Sequence, residues 1–113
     1  MATALDQRLD VLFTALSDRT RRDIVVRLSA GESTVKELAE RYAMSMQAVS
    51  QHIGVLERCG LVSRGRLRQT RPCRLEPKAL EVAVSWIEES RRTWVERMDG
   101  LAARLAELQE EDR

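Results

Sequence analysis

The chain is poor in the residues from which most active sites and metal centres are built. It has one histidine, two cysteines, two prolines, five glycines, two tryptophans, one tyrosine and one phenylalanine. One histidine and two separated cysteines do not make a tetrahedral zinc site, so no metal and no cofactor is expected. No glycine-rich phosphate loop follows a strand pattern, no nucleophile elbow is present, and a histidine pair is ruled out by count. No catalytic residue is therefore assigned, and an enzyme is not expected. Long apolar runs are also missing, and the N-terminus lacks a signal-peptide pattern. No membrane partner is expected. The protein is placed in the cytoplasm, where Cys59 and Cys73 default to reduced thiols. Sparse proline and glycine leave little room for loops, which predicts a mostly helical globular chain.

At 113 residues the sequence reads as one domain, 1–113. The formal net charge is only +1, but the charge is unevenly spread. Glu107, Glu110, Glu111 and Asp112 make the end acidic, while no acidic residue occurs from Arg58 to Leu75. A nearly neutral protein can thus still offer a basic surface.

Residues 33–60 hold two short helical patterns around a tight turn. In the first, Val35, Leu38, Ala39 and Tyr42 share one face, and Thr34 with Glu37 makes a capping box. In the second, Ser45 is placed to cap the start and Gly60 to end it in a left-handed conformation. Val49, Ile53 and Leu56 form the inward stripe, and Gln47, Ser50, Gln51 and Gly54 the outward face. Short polar side chains on a helix suit the edges of bases in a major groove, although a plain solvated face has the same composition. Gly54 would let the backbone come close to the duplex. Met44 is expected in the core, and Met46 at the groove edge or against the next segment.

Residues 61–75 alternate like strands and carry Arg64, Arg66, Arg68, Arg71 and Arg74. They predict a two-stranded ribbon, Leu61 to Leu67 and Arg71 to Leu75. Arginine forks bind phosphates and enter narrow minor grooves. Charge that protects a sheet edge accounts for one or two such residues, but poorly for a run of one sign.

The sequence resembles the ArsR-type winged helix-turn-helix transcriptional repressors of bacteria and archaea. The resemblance is carried by Leu16-Ser17-Asp18-Arg19-Thr20-Arg21-Arg22, by Met44 to Ile53, and by Val55-Leu56-Glu57-Arg58-Cys59-Gly60-Leu61-Val62, and it covers nearly the whole chain in order. Arg19 departs from it, since the family often has proline there. Proline at that place only pre-sets φ, so arginine is tolerated. The resemblance implies a homodimer, a repressor role and contact of His52 with DNA. Together the readings place Ser45, Gln47, Ala48, Ser50, Gln51 and His52 toward the major groove of double-stranded DNA. Arg64, Arg66, Arg68 and Arg71 are placed on backbone or minor groove. Many relatives sense metals through cysteines in the third helix or Asp and His in the last. Here the third helix has no cysteine and the last no histidine, which places the chain in a metal-independent branch.

The remaining segments present this centre. Leu5, Leu9, Leu12, Phe13 and Leu16 form one face of a first helix, within 1–16. Asp18 caps a second helix ending near Ser29, with Arg19, Arg21 and Arg22 at its start. One of those arginines reads as a phosphate contact, or else all three as plain surface charge or salt bridges to the acidic last helix. Pro77 opens a final helix spanning 77–110. Leu80, Val84, Ile87, Arg91, Trp94, Met98, Leu101, Leu105 and Leu108 alternate four and three apart, a heptad seam with one polar break. The predicted dimer interface comprises Leu5, Leu9, Leu12, Trp86, Ile87, Trp94, Met98, Leu101 and Leu105.

Two alternatives stay open. A winged helix that binds protein through its long helix is one, against which the basic wing speaks. A thiol- or metal-responsive sensor is the other. Cys59 and Cys73 read either as small buried apolar residues or as a disulfide that shifts the wing. No operator, regulated gene or small-molecule effector can be read from the sequence.

Overall fold

The computed structural model describes residues 2–66 and 71–112. Its elements run α1 (Ala4–Leu16), α2 (Arg19–Ala30), α3 (Val35–Arg41), α4 (Met46–Arg58), β1 (Val62–Arg64), β2 (Cys73–Leu75) and α5 (Pro77–Glu111). The predicted class, mostly helical with a small two-stranded wing, is the one observed.

Short-range chemistry sets the helix starts. Thr3 and Asp6 form a capping box at α1, with bonds of 3.0 and 3.1 Å. The Asp18 carboxylate accepts the Arg21 amide at 3.0 Å and opens α2. Thr34 and Glu37 form a second capping box, at α3. The Ser45 hydroxyl accepts the Ala48 amide at 3.1 Å and opens α4. Each cap satisfies amides that the first helical turn leaves without a partner.

The end of α4 is equally defined. The Gly60 amide donates to the Glu57 carbonyl and the Leu61 amide to the Leu56 carbonyl, both at 3.0 Å. Gly60 sits at φ +82° between them. This double bond is a Schellman closure, and its usual apolar clasp is supplied by Leu56 and Leu61, both fully buried.

The chain divides into two compact units, residues up to 83 and residues from 84. The first contains the core. Leu12 and Ala15 of α1, Ile24 and Leu28 of α2, Leu38 of α3 and Val49, Ile53 and Leu56 of α4 pack with Leu61, Val62 and Cys73. Ala79 and Ala83 close it from the first turns of α5. Leu9 and Leu12, predicted at a dimer interface, are buried here instead: Leu12 is 0% exposed and Leu9 5%. The first helix turns these two leucines toward its own protomer and leaves Leu5 half-exposed. Met44, expected in the core, is 37% exposed, because α3 ends at Arg41 and the turn runs along the surface. The second unit is the rest of α5, in which every described residue from Val84 on is exposed.

The wing strands are shorter than predicted. β1 and β2 pair antiparallel as Val62 with Leu75, Ser63 with Arg74 and Arg64 with Cys73. One further bond joins the Gly65 amide to the Pro72 carbonyl at 2.8 Å. Pro72 has no amide hydrogen to return, so the ladder stops there. Arg71 consequently lies outside β2, and Leu67 falls outside the described residues. On the other side Ser33 and Cys73 exchange bonds of 3.2 and 2.7 Å, which ties β2 to the segment before α3. The Ser63 hydroxyl donates to the Glu76 carboxylate at 2.5 Å, fixing the wing to the approach of α5.

Candidate nucleic-acid interface

Helix α4 turns Val49, Ile53 and Leu56 into the core, and that alone decides what it shows to solvent. Gln47, Ser50 and Gln51 are exposed, while Ala48 and His52 are half-buried on the flank. Ser45 is exposed, but its hydroxyl oxygen is committed to the Ala48 amide as the helix cap. Gly54 is half-buried. A Cβ added to it would lie 3.4 Å from Nη1 of Arg58, so the Arg58 side chain lies back over that place. The bare backbone expected there is replaced by a guanidinium. Arg58 was missed in the sequence, although its i,i+4 spacing from Gly54 puts the two on one face.

His52 reaches toward α2. Its Nδ1 lies 3.3 Å from Arg21 Nη1 and 3.9 Å from Asp18 Oδ2. Arg21 also donates from Nε to the Ala15 carbonyl at 2.6 Å and from Nη2 to the Thr14 carbonyl at 3.2 Å. Arg22 Nη1 donates to the Leu16 carbonyl at 2.9 Å. Both arginines thus close the C-terminal end of α1, whose own last turn has no basic residue. The sequence readings of this cluster did not include these carbonyl contacts of Arg21 and Arg22. These α1 carbonyls carry the negative end of the helix dipole, which a guanidinium complements.

A second polar cluster braces the helix-turn-helix. The Tyr42 hydroxyl donates to the Asp23 carboxylate, Arg27 Nε donates to the same oxygen at 2.9 Å, and the guanidinium lies 5.4 Å from the Tyr42 ring centroid. Asp23 is held below the usual carboxylate range, first by the Tyr42 hydroxyl and then by Arg27. Burial, with the Asp23 bond second, pushes the Tyr42 phenol up to about 12. The cluster joins α2 to the residue that ends α3.

The wing arginines do not form one set. Arg66 and Arg71 are exposed. Arg64 is half-buried, pairs across the ladder with Cys73, and its buried Nε has no hydrogen-bond partner among the described residues. Arg74 is exposed and bonds Glu32 at 3.0 Å. Arg68 lies outside the described residues. Cys59 and Cys73 are both free and buried. Burial raises the Cys73 thiol and the Arg64 guanidinium only partly offsets this. Cys59 donates to the Leu56 carbonyl at 3.3 Å. Among the described residues no three His, Cys, Asp or Glu side chains are placed to hold a metal ion.

The chain has counterparts among known proteins in both sequence and fold. The family described as "Helix-turn-helix domain" matches residues 16–64, which run from the last residue of α1 through β1. The HTH-type transcriptional regulator Rv2034 of Mycobacterium tuberculosis is 37% identical over 93 residues, 82% of this chain and 84% of that one. The transcriptional repressor SdpR of Bacillus subtilis is 30% identical over 76 residues, 67% of this chain and 84% of that one. The crystal structure of the ArsR family transcriptional regulator RHA00566 superposes with a TM-score of 0.72 at 33% identity, covering 77% of this chain and 96% of that one. The chain belongs to the ArsR family of helix-turn-helix transcriptional regulators. In this ArsR-type protein five helices and the β1–β2 wing make a winged helix-turn-helix fold, with α3 and α4 joined by a short turn. No helix among the described residues is long and apolar enough to cross a membrane.

Proposed function

We propose that this ArsR-family regulator is a metal-independent repressor that binds an inverted-repeat operator as a homodimer, in the cytoplasm and without catalysis. The exposed row Gln47, Ser50 and Gln51 on α4 carries the reading. Glutamine reads adenine through its amide, and serine hydroxyls accept or donate to either base of a pair. His52, with Nδ1 engaged, meets DNA through Nε2. Ala48 offers a methyl contact, and Ser45 its hydroxyl hydrogen. Arg66 and Arg71 supply phosphate or minor-groove contacts from the wing, with Arg68 between them in sequence. Arg64 is better suited to bracing the wing against Cys73 than to reaching DNA.

Dimerisation is supported by the apolar surface left on each helix concerned. Leu5 of α1 is 50% exposed and Trp94 of α5 63%, and Trp86, Ile87, Met98, Leu101 and Leu105 are exposed with them. Two recognition helices in a twofold dimer sit about 34 Å apart, one turn of duplex. Metal independence rests on the donor set: the one histidine faces Arg21 and both thiols are buried.

A gel shift with the duplex upstream of its own gene, run with and without a chelator, tests the reading. Retarded DNA that resists a random duplex competitor is expected, unchanged by chelation, with two footprints one turn apart. Loss of the complex on chelation would overturn metal independence. Equal competition by random DNA would overturn sequence recognition.

A further inference from the structure

His52 and Arg21 meet in a way that decides what α4 offers at one position. The ring nitrogen Nδ1 lies 3.3 Å from Arg21 Nη1. A guanidinium has donors only and keeps its charge. At that contact the imidazole must supply the lone pair. A neutral imidazole has one lone pair and one N–H, so the proton is left on Nε2. The competing group is the Asp18 carboxylate, which favours the opposite arrangement by accepting a proton from Nδ1. Its Oδ2 is 3.9 Å away, beyond hydrogen-bond reach, and already accepts the Arg21 amide at 3.0 Å. The nearer contact prevails.

Arg21 is also held in place. Nε bonds the Ala15 carbonyl at 2.6 Å and Nη2 the Thr14 carbonyl at 3.2 Å, so the plane of the guanidinium is fixed from the end of α1. The remaining nitrogen, Nη1, is the one aimed at α4. We infer that Arg21 is a positioning residue that locks His52 in its Nε2–H tautomer, so that the recognition helix presents a hydrogen-bond donor to DNA there. The inference rests on the reading of α4 as the DNA-reading helix. The groups it admits are acceptors: phosphate oxygens, guanine O6 and N7, adenine N7 and thymine O4. The amino groups of adenine and cytosine are rejected. A histidine without such a neighbour exchanges between tautomers and would discriminate less.

The chain has a single histidine, so its ring nitrogens can be read in the whole protein without ambiguity. Two-bond proton–nitrogen correlation spectra of labelled wild type, recorded without DNA at a pH where the ring is neutral, should show one tautomer, protonated at Nε2 and free of averaging. Arg21→Met keeps the apolar stem and removes every donor; it should restore the exchanging mixture while circular dichroism stays helical. An averaged ring or an Nδ1–H ring in the wild type overturns the inference, whether or not the variant folds. On addition of the upstream duplex the Nε2 resonance should move while Nδ1 keeps its lone-pair signature. A bound complex with an unmoved Nε2 overturns the donor role. Failure of the duplex to bind at all leaves the locked tautomer of the free protein intact and rejects the DNA-reading role of α4 instead.

Discussion

Gln51 and Tyr42 are one residue each, yet they test different layers of the molecule. Gln51 stands exposed on α4, two residues before the buried Ile53, and its side chain bonds none of the described residues. Gln51→Ala should leave thermal stability near wild type. If the amide pairs with a base, it should cost roughly 1–3 kcal/mol of operator affinity and relax sequence preference at one position. Equal losses on operator and random duplex would contradict that. Tyr42 tests the brace behind the reading face. Its phenol is raised to about 12, first by burial and then by the bond to Asp23, so the protonated, buried phenol contributes stability that is complete below the unfolded value, about 10, and is lost as pH climbs toward 12. Asp23, with its pKa lowered, contributes above the unfolded carboxylate value and loses that share on acidification. Denaturant melts between pH 10 and 12 should therefore fall more steeply for wild type than for Tyr42→Phe. Parallel slopes would remove the phenol from the stability of the fold. The chain has one tyrosine, so its ionisation can be followed directly by ultraviolet absorbance.

Elements whose limits depend on neighbours in the chain were legible, and those that depend on distant groups were not. Thr34 with Glu37, Ser45 and Gly60 act within a few residues, and each does what its spacing suggests. The wing was overextended because alternation continues past the place where Pro72 ends the ladder. The bonds of Arg21 and Arg22 to α1 carbonyls were not foreseen, because no local pattern encodes a contact with another helix. Two predictions belong to this scale. Gly60→Ala should cost about 1 kcal/mol in a denaturant melt. The added Cβ meets Ala79 Cβ at an ordinary 3.7 Å, so the cost comes from φ +82° and not from a clash. A loss of several kcal/mol would mean that the α4 terminus is held by something other than its Schellman closure. Arg66, exposed beyond β1, should act as a phosphate contact. Arg66→Ala should weaken binding to operator and random duplex alike and flatten the log–log salt slope by about 0.9. An unchanged slope takes Arg66 off the backbone.

For the whole molecule the question is what covers the apolar surface that the core does not use. Helix α5 has 35 residues and so runs roughly 50 Å, but its buried residues, Ala79 and Ala83, both lie in the first two turns. Beyond them Ile87, Trp94, Met98, Leu101, Leu105 and Leu108 remain exposed at heptad spacing, which a solitary chain would present to water as a continuous stripe. On α5 periodicity gives a heptad seam, but every described residue from Val84 on is exposed, so burial does not single it out; the apolar side chains do. On α1 periodicity could not separate Leu5 from Leu9 and Leu12, because one apolar face can serve a protomer's own core and a partner in turn, and only packing tells which. Leu101 is the better test, since it lies far from every core residue in sequence and none of its burial is used by the fold. Leu101→Glu should leave the melting of the core nearly unchanged and should shift sedimentation from two chains to one. Operator affinity should then fall by at least about 100-fold, because two linked half-site contacts become one. A Leu101→Glu protein that still sediments as a pair would show that the seam of α5 is not what joins the protomers. One that sediments as a single chain yet binds its operator undiminished would separate dimerisation from DNA reading altogether.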